Sequence, residues 1–261
     1  MLRTTAVYDA GLSIQLEWTL SRSLPFFLLF LAALILAGAL GAWYLGPSVV
    51  SLAFDDERRN APYYLVSLVA SPDSGMGDGS AAFRSDLAGL VSEDGGLLLW
   101  RAVTIQVAEG RVEDEWQHLQ LFEFPRGGDL VEMLTSARYR GTADVYPRLR
   151  RLILGAADPS NDLAFGSAAV LSLYRVDADA TEFAPGARDL ASNLGEFGGQ
   201  LVWDVPVADL DGDALWSRVL LFEFASVRAA ERWLRDPATV THRALIQRGA
   251  KGVATLILES S

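Results

Sequence analysis

The chain has 261 residues, a net charge of −11, a 51% share of hydrophobic residues and no cysteine. Its acidity excludes a nucleic-acid partner, which demands clustered Lys and Arg against phosphate. The missing cysteines exclude thiolate nucleophiles, Cys-ligated zinc, iron–sulfur clusters and disulfides. Lys251 is the only lysine, and a turn between Gly249 and Gly252 is a poor place to desolvate a Schiff-base amine.

Residues 1–23 are polar to mixed and too short for a domain. Leu24 to Leu45 then runs without a charge and is long enough to cross a bilayer core, with Trp43 and Tyr44 at its far end. Ala37-Gly38-Ala39 resembles a signal cleavage site, but the apolar run continues past it, so a single-pass anchor is expected. Arg22 lies directly before the helix, whereas Arg58 and Arg59 follow only after an acidic run. That bias places the N-terminus inside and the bulk of the chain outside the cell membrane. Residues 46–61 read as a stalk.

Tyr63 to Ala70 is a short apolar run suited to a buried strand. Phe83, Leu87, Leu90 and Val91 recur at helical spacing, and Gly95-Gly96 stops that helix. Leu97 to Val107 and Trp116 to Phe124 form a hairpin with an acidic turn; a helix carrying Leu130, Val131, Leu134 and Ala137 follows, then a strand from Leu149 to Gly155. Asp158 to Asp162 is rich in turn residues and opens a linker, 158–167. The order then repeats: a strand from Ala169 to Tyr174, a helix bearing Phe183, Leu190, Leu194 and Phe197, and strands Gln200–Val207 and Trp216–Phe224. A helix with Val227, Ala230, Trp233 and Leu234 comes next, and Val253–Leu258 is the last strand.

The repeat is visible in the residues. Trp116, Leu121, Phe122, Glu123 and Phe124 recur as Trp216, Leu221, Phe222, Glu223 and Phe224, and Gly95-Gly96 and Trp100 recur as Gly198-Gly199 and Trp203. Leu152-Ile153-Leu154 matches Leu256-Ile257-Leu258. We therefore expect an α+β protein made of two tandem ferredoxin-like βαββαβ units, at 62–157 and 168–261, behind an N-terminal transmembrane helix at 24–45. Each unit leaves one sheet face bare, and the other copy supplies its cover, so the chain should form an intrachain pseudo-dimer closed as a barrel.

Glu223-Phe224-Ala225-Ser226, followed by Ala229 to Leu234 and then Arg235-Asp236-Pro237, resembles the dimeric α/β-barrel superfamily. The likeness is closest to small bacterial domains of unknown function and covers residues 62–261. Glu123-Phe124-Pro125 carries the same pattern more narrowly, because Arg126-Gly127-Gly128 departs from the usual helix start. The resemblance implies relatives among cofactor-free monooxygenases, haem-degrading enzymes and stress-response domains, and the fold does not choose between them.

Glu123 and Glu223 are the candidate catalytic groups. Each lies in an apolar strand, where a buried carboxylate needs a partner or shifts its pKa. Trp100, Trp203, Trp116 and Trp216 come as two symmetric pairs suited to the walls of an apolar ligand pocket. Strand alternation puts Trp116, His118, Phe122 and Phe124 on one face and Leu119, Leu121 and Glu123 on the other. His118 is a further ligand-binding candidate, as a base or a haem ligand, though Arg218 takes its place in the second copy. Asp209 to Asp213 lacks the glutamate of a calcium loop, since its twelfth position is Leu220. Gly75 to Gly79 lacks the lysine and final glycine of a phosphate loop, so no metal and no cofactor are expected.

No complete catalytic constellation is visible. The expected function is therefore a membrane-anchored domain that binds a small apolar ligand or a partner without catalysis. The alternative is a cofactor-independent monooxygenase or isomerase acting on an apolar molecule between the sheets.

Overall fold

The computed structural model describes residues 59–70, 79–110, 116–146, 149–157, 166–176, 183–211 and 216–261. The expected N-terminal segment, the membrane helix at 24–45, most of the stalk and most of the linker lie outside these residues. Among the described residues no helix is long and apolar enough to cross a membrane.

Eight strands close into one antiparallel barrel. β1 (Tyr63–Ala70), β2 (Leu97–Glu109), β3 (His118–Phe124) and β4 (Arg150–Ala157) belong to the first half of the chain; β5 (Ala168–Val176), β6 (Gly199–Asp211), β7 (Arg218–Phe224) and β8 (Ala250–Ser260) belong to the second. The order around the barrel is β1-β3-β2-β8-β5-β7-β6-β4. The halves thus pair alike, β4-β1-β3-β2 and β8-β5-β7-β6, and join at β2–β8 and at β6–β4. Leu68 faces Leu119 and Leu152 across its neighbours, and Leu173 faces Val219 and Ala254. The pairing therefore sets Leu152 against Ala254, two residues from the match that the apolar triplets suggest.

Among the described residues six α-helices lie on the outside: α1 (Gly79–Glu93), α2 (Gly127–Thr135), α3 (Ala137–Val145), α4 (Phe183–Ala191), α5 (Val227–Arg235) and α6 (Pro237–Arg248). Where one helix was expected between the last two strands of each half, there are two. Ser136 caps α3 by accepting from the Tyr139 N–H at 3.0 Å. Asp236 caps α6 by accepting from Ala238 and Thr239 at 3.0 and 3.1 Å, with Pro237 in the first turn. An extended cap residue with a side-chain acceptor ends one helix and starts the next. Lys251, expected in a turn, lies within β8.

Gly95 and Gly198 end the first helical stretch of each half at φ 83° and 67°. The glycines that follow make room for a ring: a Cβ on Gly96 would stand 3.0 Å from Phe124, and one on Gly199 only 2.5 Å from Phe224.

The core has two kinds of layer. Alternate residues of every strand point into the barrel, where Tyr64, Leu68, Leu121, Leu171, Leu221 and Leu256 are among those packed together. The residues between them point outward, those of β1, β3, β5 and β7 beneath the helices and others, such as Arg101 of β2, to solvent. In the second half that outer layer joins Val170, Phe222 and Phe224 to Phe183, Leu190, Trp233 and Ile246.

Candidate functional site

The four tryptophans lie inside the barrel. Trp100, Trp116, Trp203 and Trp216 are at most 6% exposed and form one apolar cluster inside the barrel. Trp116 and Trp216 meet edge to face at 6.2 Å, and Trp203 meets Tyr64 at 5.4 Å. An eight-stranded barrel is just wide enough for its side chains to fill it, so facing sheets need not leave a cavity. Two clefts lined by described residues lie outside the barrel. One, of about 520 Å³, runs between α1 and α3 past Asp86, Gly89, Glu93 and Arg138; the other, of about 320 Å³, lies at the start of α2.

Glu123 and Glu223 share the inward register of Leu121 and Leu221, but stand at the strand ends and are only half-buried. Water therefore reaches carboxylates that were expected to be buried. Gln200 Nε2 donates to Glu223 Oε2 at 2.6 Å, and the Glu223 carboxylate rests against Gly166, where a Cβ would come within 2.4 Å. Leu97, the residue facing Glu123 on β2, offers no such donor.

The expected face of Trp116 is corrected. It packs inward with Leu119 and Leu121, although it shares their neighbour His118's parity. The ladder of β3 begins only at His118, and the chain before it is held by Gln117 N–H donating to Val69 O at 3.0 Å. Alternation does not extend beyond the ladder that creates it.

His118 and Gln120 point the other way, under the helices of the first half. Two rows cross the sheet there, His118–Val69–Arg151 and Gln120–Ser67–Ile153. Gln120 Nε2 donates to the Arg84 carbonyl of α1 at 3.3 Å, and an Arg151 terminal nitrogen donates to the Ala143 carbonyl of α3 at 2.7 Å. The Arg151 guanidinium lies 5.6 Å from the centre of the Phe83 ring. This layer is apolar around its polar groups, with Leu65, Val69, Phe83 and Leu87 at 0% exposure.

Among the described residues of this layer, the Ser67 hydroxyl, at 0% exposure, and Oε1 of Gln120, at 2%, are buried with no hydrogen-bond partner. A buried polar group left unpaired costs about 1–3 kcal/mol, so each such atom calls for an explanation. Sequence reasoning passed over Ser67, Gln120 and Arg151. The signal was a lone polar residue inside two apolar runs, with Leu220 standing where the repeat has Gln120.

The second half treats the same positions differently. Its rows are Arg218–Tyr174–Val253 and Leu220–Ser172–Thr255. Ser172 and Thr255 share a hydrogen bond at 3.2 Å, and Thr255 donates to Glu109 at 3.4 Å. Glu109 reaches over from β2 and also accepts from Arg243 at 2.7 Å and from Gln247, both on α6. Tyr174 fills the space beside them, edge to face with Phe183 at 5.0 Å, and burial pushes its phenol up to about 12. Arg218 pairs with Asp204 at 2.6 Å. Every polar group of these two rows has a partner.

His118 faces Val69, which is fully buried. Among the described residues no cluster of His, Asp and Glu could hold a metal ion.

No protein-family profile and no curated protein matches the sequence. Solved structures do. An anthrone oxidase-like protein superposes with a TM-score of 0.54 at 12% identity, over 80% of this chain and 93% of its own. A mutant chlorite dismutase from Candidatus Nitrospira defluvii gives 0.48 at 10% identity over 81% and 94%. A structure from Lactobacillus acidophilus NCFM, provisionally named a monooxygenase, gives 0.42 at 11% over 77% and 94%. The first of these carries the likeness of fold, and the α+β barrel is similar to those of the dimeric α/β-barrel proteins. The expectation of a binding domain without catalysis is corrected here, because the structure that carries the likeness is named anthrone oxidase-like.

Proposed function

We propose that this chain is a cofactor-independent enzyme of the monooxygenase or isomerase type, acting on a small apolar molecule in the outer layer of its first half. We read the two halves as tandem ferredoxin-like units from an internal duplication, tethered by the helix at 24–45 with their bulk outside the membrane. The observation that supports the site is the pair of unpartnered, buried polar atoms on Ser67 and Gln120, at positions where the second half is fully paired. Both atoms are shut from solvent, so a ligand enters when the first turns of α1 lift from the sheet.

His118 is the proton-transfer group. It takes a proton from a carbon activated by a neighbouring carbonyl or aromatic ring, and the Arg151 guanidinium stabilises the anion that results. In the monooxygenase form, dioxygen is the oxidant. The carbanion is oxidised as a C–O bond forms, and the protonated peroxide then loses water. One oxygen stays as a carbonyl, and the other leaves with the two hydrogens of the methylene. In the isomerase form the proton returns to a different carbon.

The test is dioxygen uptake by the full chain with anthrone as substrate. Turnover is expected, His118→Gln should slow it by about 10²–10⁴-fold, and Glu123→Gln and Glu223→Gln should leave it unchanged. An unaltered rate in His118→Gln, or loss of the rate in a glutamate variant, contradicts the assignment.

A further inference from the structure

Gln120 also constrains the ligand, and this step rests on the site just proposed. A carbonyl oxygen can only accept, so the atom of Gln120 that meets the Arg84 carbonyl at 3.3 Å must be its amide nitrogen. Its orientation is thereby fixed. Oε1 faces the opposite way, buried and without a donor. Turning the amide over would set Oε1 against the Arg84 carbonyl, two acceptors face to face. The neighbouring Ser67 hydroxyl, also unpartnered, can donate or accept and imposes no sign of its own. Around the pair stand Leu65, Phe83, Leu87 and Phe122, all at 0% exposure.

We infer that the ligand is an apolar, ring-bearing molecule that carries an O–H, a phenol or an enol, and that it donates this hydroxyl to Gln120 Oε1. The amide accepts, Ser67 completes the contact to the same oxygen, and the apolar walls take the ring. A ligand whose oxygen is alkylated has no hydrogen to give. It leaves Oε1 buried and unpaired and gains nothing over the empty site. A ketone meets this position only through its enol, the form to which anthrone tautomerises, since two acceptors would otherwise face each other. The polar handle therefore selects by donor, not by polarity.

The second half shows that the position tolerates a change. Leu220 occupies the place of Gln120 in an otherwise similar strand and is fully buried there. Gln120→Leu is accordingly expected to fold, and Ser67→Ala removes only a hydroxyl without a partner.

The experiment is isothermal titration of the full chain in detergent with 1-naphthol and with 1-methoxynaphthalene, repeated on Gln120→Leu and Ser67→Ala. Wild type should bind the naphthol about tenfold or more tightly than the ether, the ratio that one hydrogen bond supplies. Gln120→Leu should bring the two within about twofold, chiefly by weakening the naphthol. Equal binding of both probes to wild type overturns the donor rule while leaving the site in place. A preference that survives in Gln120→Leu places the donor contact elsewhere and also overturns the rule. Binding of neither probe, with His118→Gln still abolishing turnover of anthrone, overturns this inference and spares the assignment of His118.

Discussion

The two helix-covered faces of the barrel share a plan and differ in how they are finished. In the second half a tyrosine, a threonine and a glutamate borrowed from β2 use up every polar group of the outer rows. In the first half Val69 and Ile153 hold the places of the tyrosine and the threonine, Gln120 stands where the second half has Leu220, and the Ser67 hydroxyl and Gln120 Oε1 are left buried without a partner. A face completed by its own side chains is a structural element. A face left incomplete, at a cost of about 1–3 kcal/mol for each unpaired group, is where a ligand gains most by binding.

The comparison is most strongly tested at the helices. Trp233 on α5 is 1% exposed, packs against Phe222 at 4.7 Å and donates its indole N–H to Asn193 at 3.0 Å. At the matching place on α2 stands Met133, a flexible side chain that adapts to its surroundings. Trp233→Ala should cost about 3–5 kcal/mol in urea unfolding, and Met133→Ala should cost less. Equal costs would mean that the first-half layer is packed as firmly as the second.

Tyr174 gives the comparison a pH signature of intermediate size. Its phenol is raised from 10.0 to about 12 by burial, so the folded chain keeps it neutral while the unfolded chain ionises it. The stability tied to it is fully present below pH 10 and is lost as the pH rises toward 12, by roughly 2 kcal/mol. Tyr174→Phe should remove that part of the alkaline loss, read from denaturation midpoints between the two pH values. An unchanged alkaline profile would mean that water reaches this ring.

The paired serines give the smallest effect, with opposite signs. Ser172→Ala breaks the bond to Thr255 and should destabilise by about 1 kcal/mol. Ser67→Ala removes a hydroxyl that has no partner and should be neutral or stabilising by a similar amount. If both cost the same, Ser67 is bonded and the first-half face is closed like the second.

Much of the fold was legible in the residues. The apolar runs marked all eight strands, and β1 and β5, buried on both faces, need no alternation to be seen. The two caps at Ser136 and Asp236 were overlooked, and two helices were read where there are four. The site was harder to read. Trp100, Trp116, Trp203 and Trp216 looked like pocket walls because they are large, symmetric and aromatic, but size suits a filled barrel equally well. Glu123 and Glu223 were assigned to a buried setting from their apolar neighbours, although a residue one place from the strand end meets water. Ser67 and Gln120 carry no motif at all. What distinguishes them is which side of the sheet the helices cover, and only the closed barrel decides that.

The central claim, that the ligand site lies under α1 in the first half and nowhere equivalent in the second, is tested most directly by hydrogen–deuterium exchange with and without anthrone. Slowed exchange is predicted in α1 and at His118 to Phe122, with α4, α6 and the strand ends bearing Glu123 and Glu223 unchanged. Protection in α4 and α6, or at the barrel mouth alone, would contradict it.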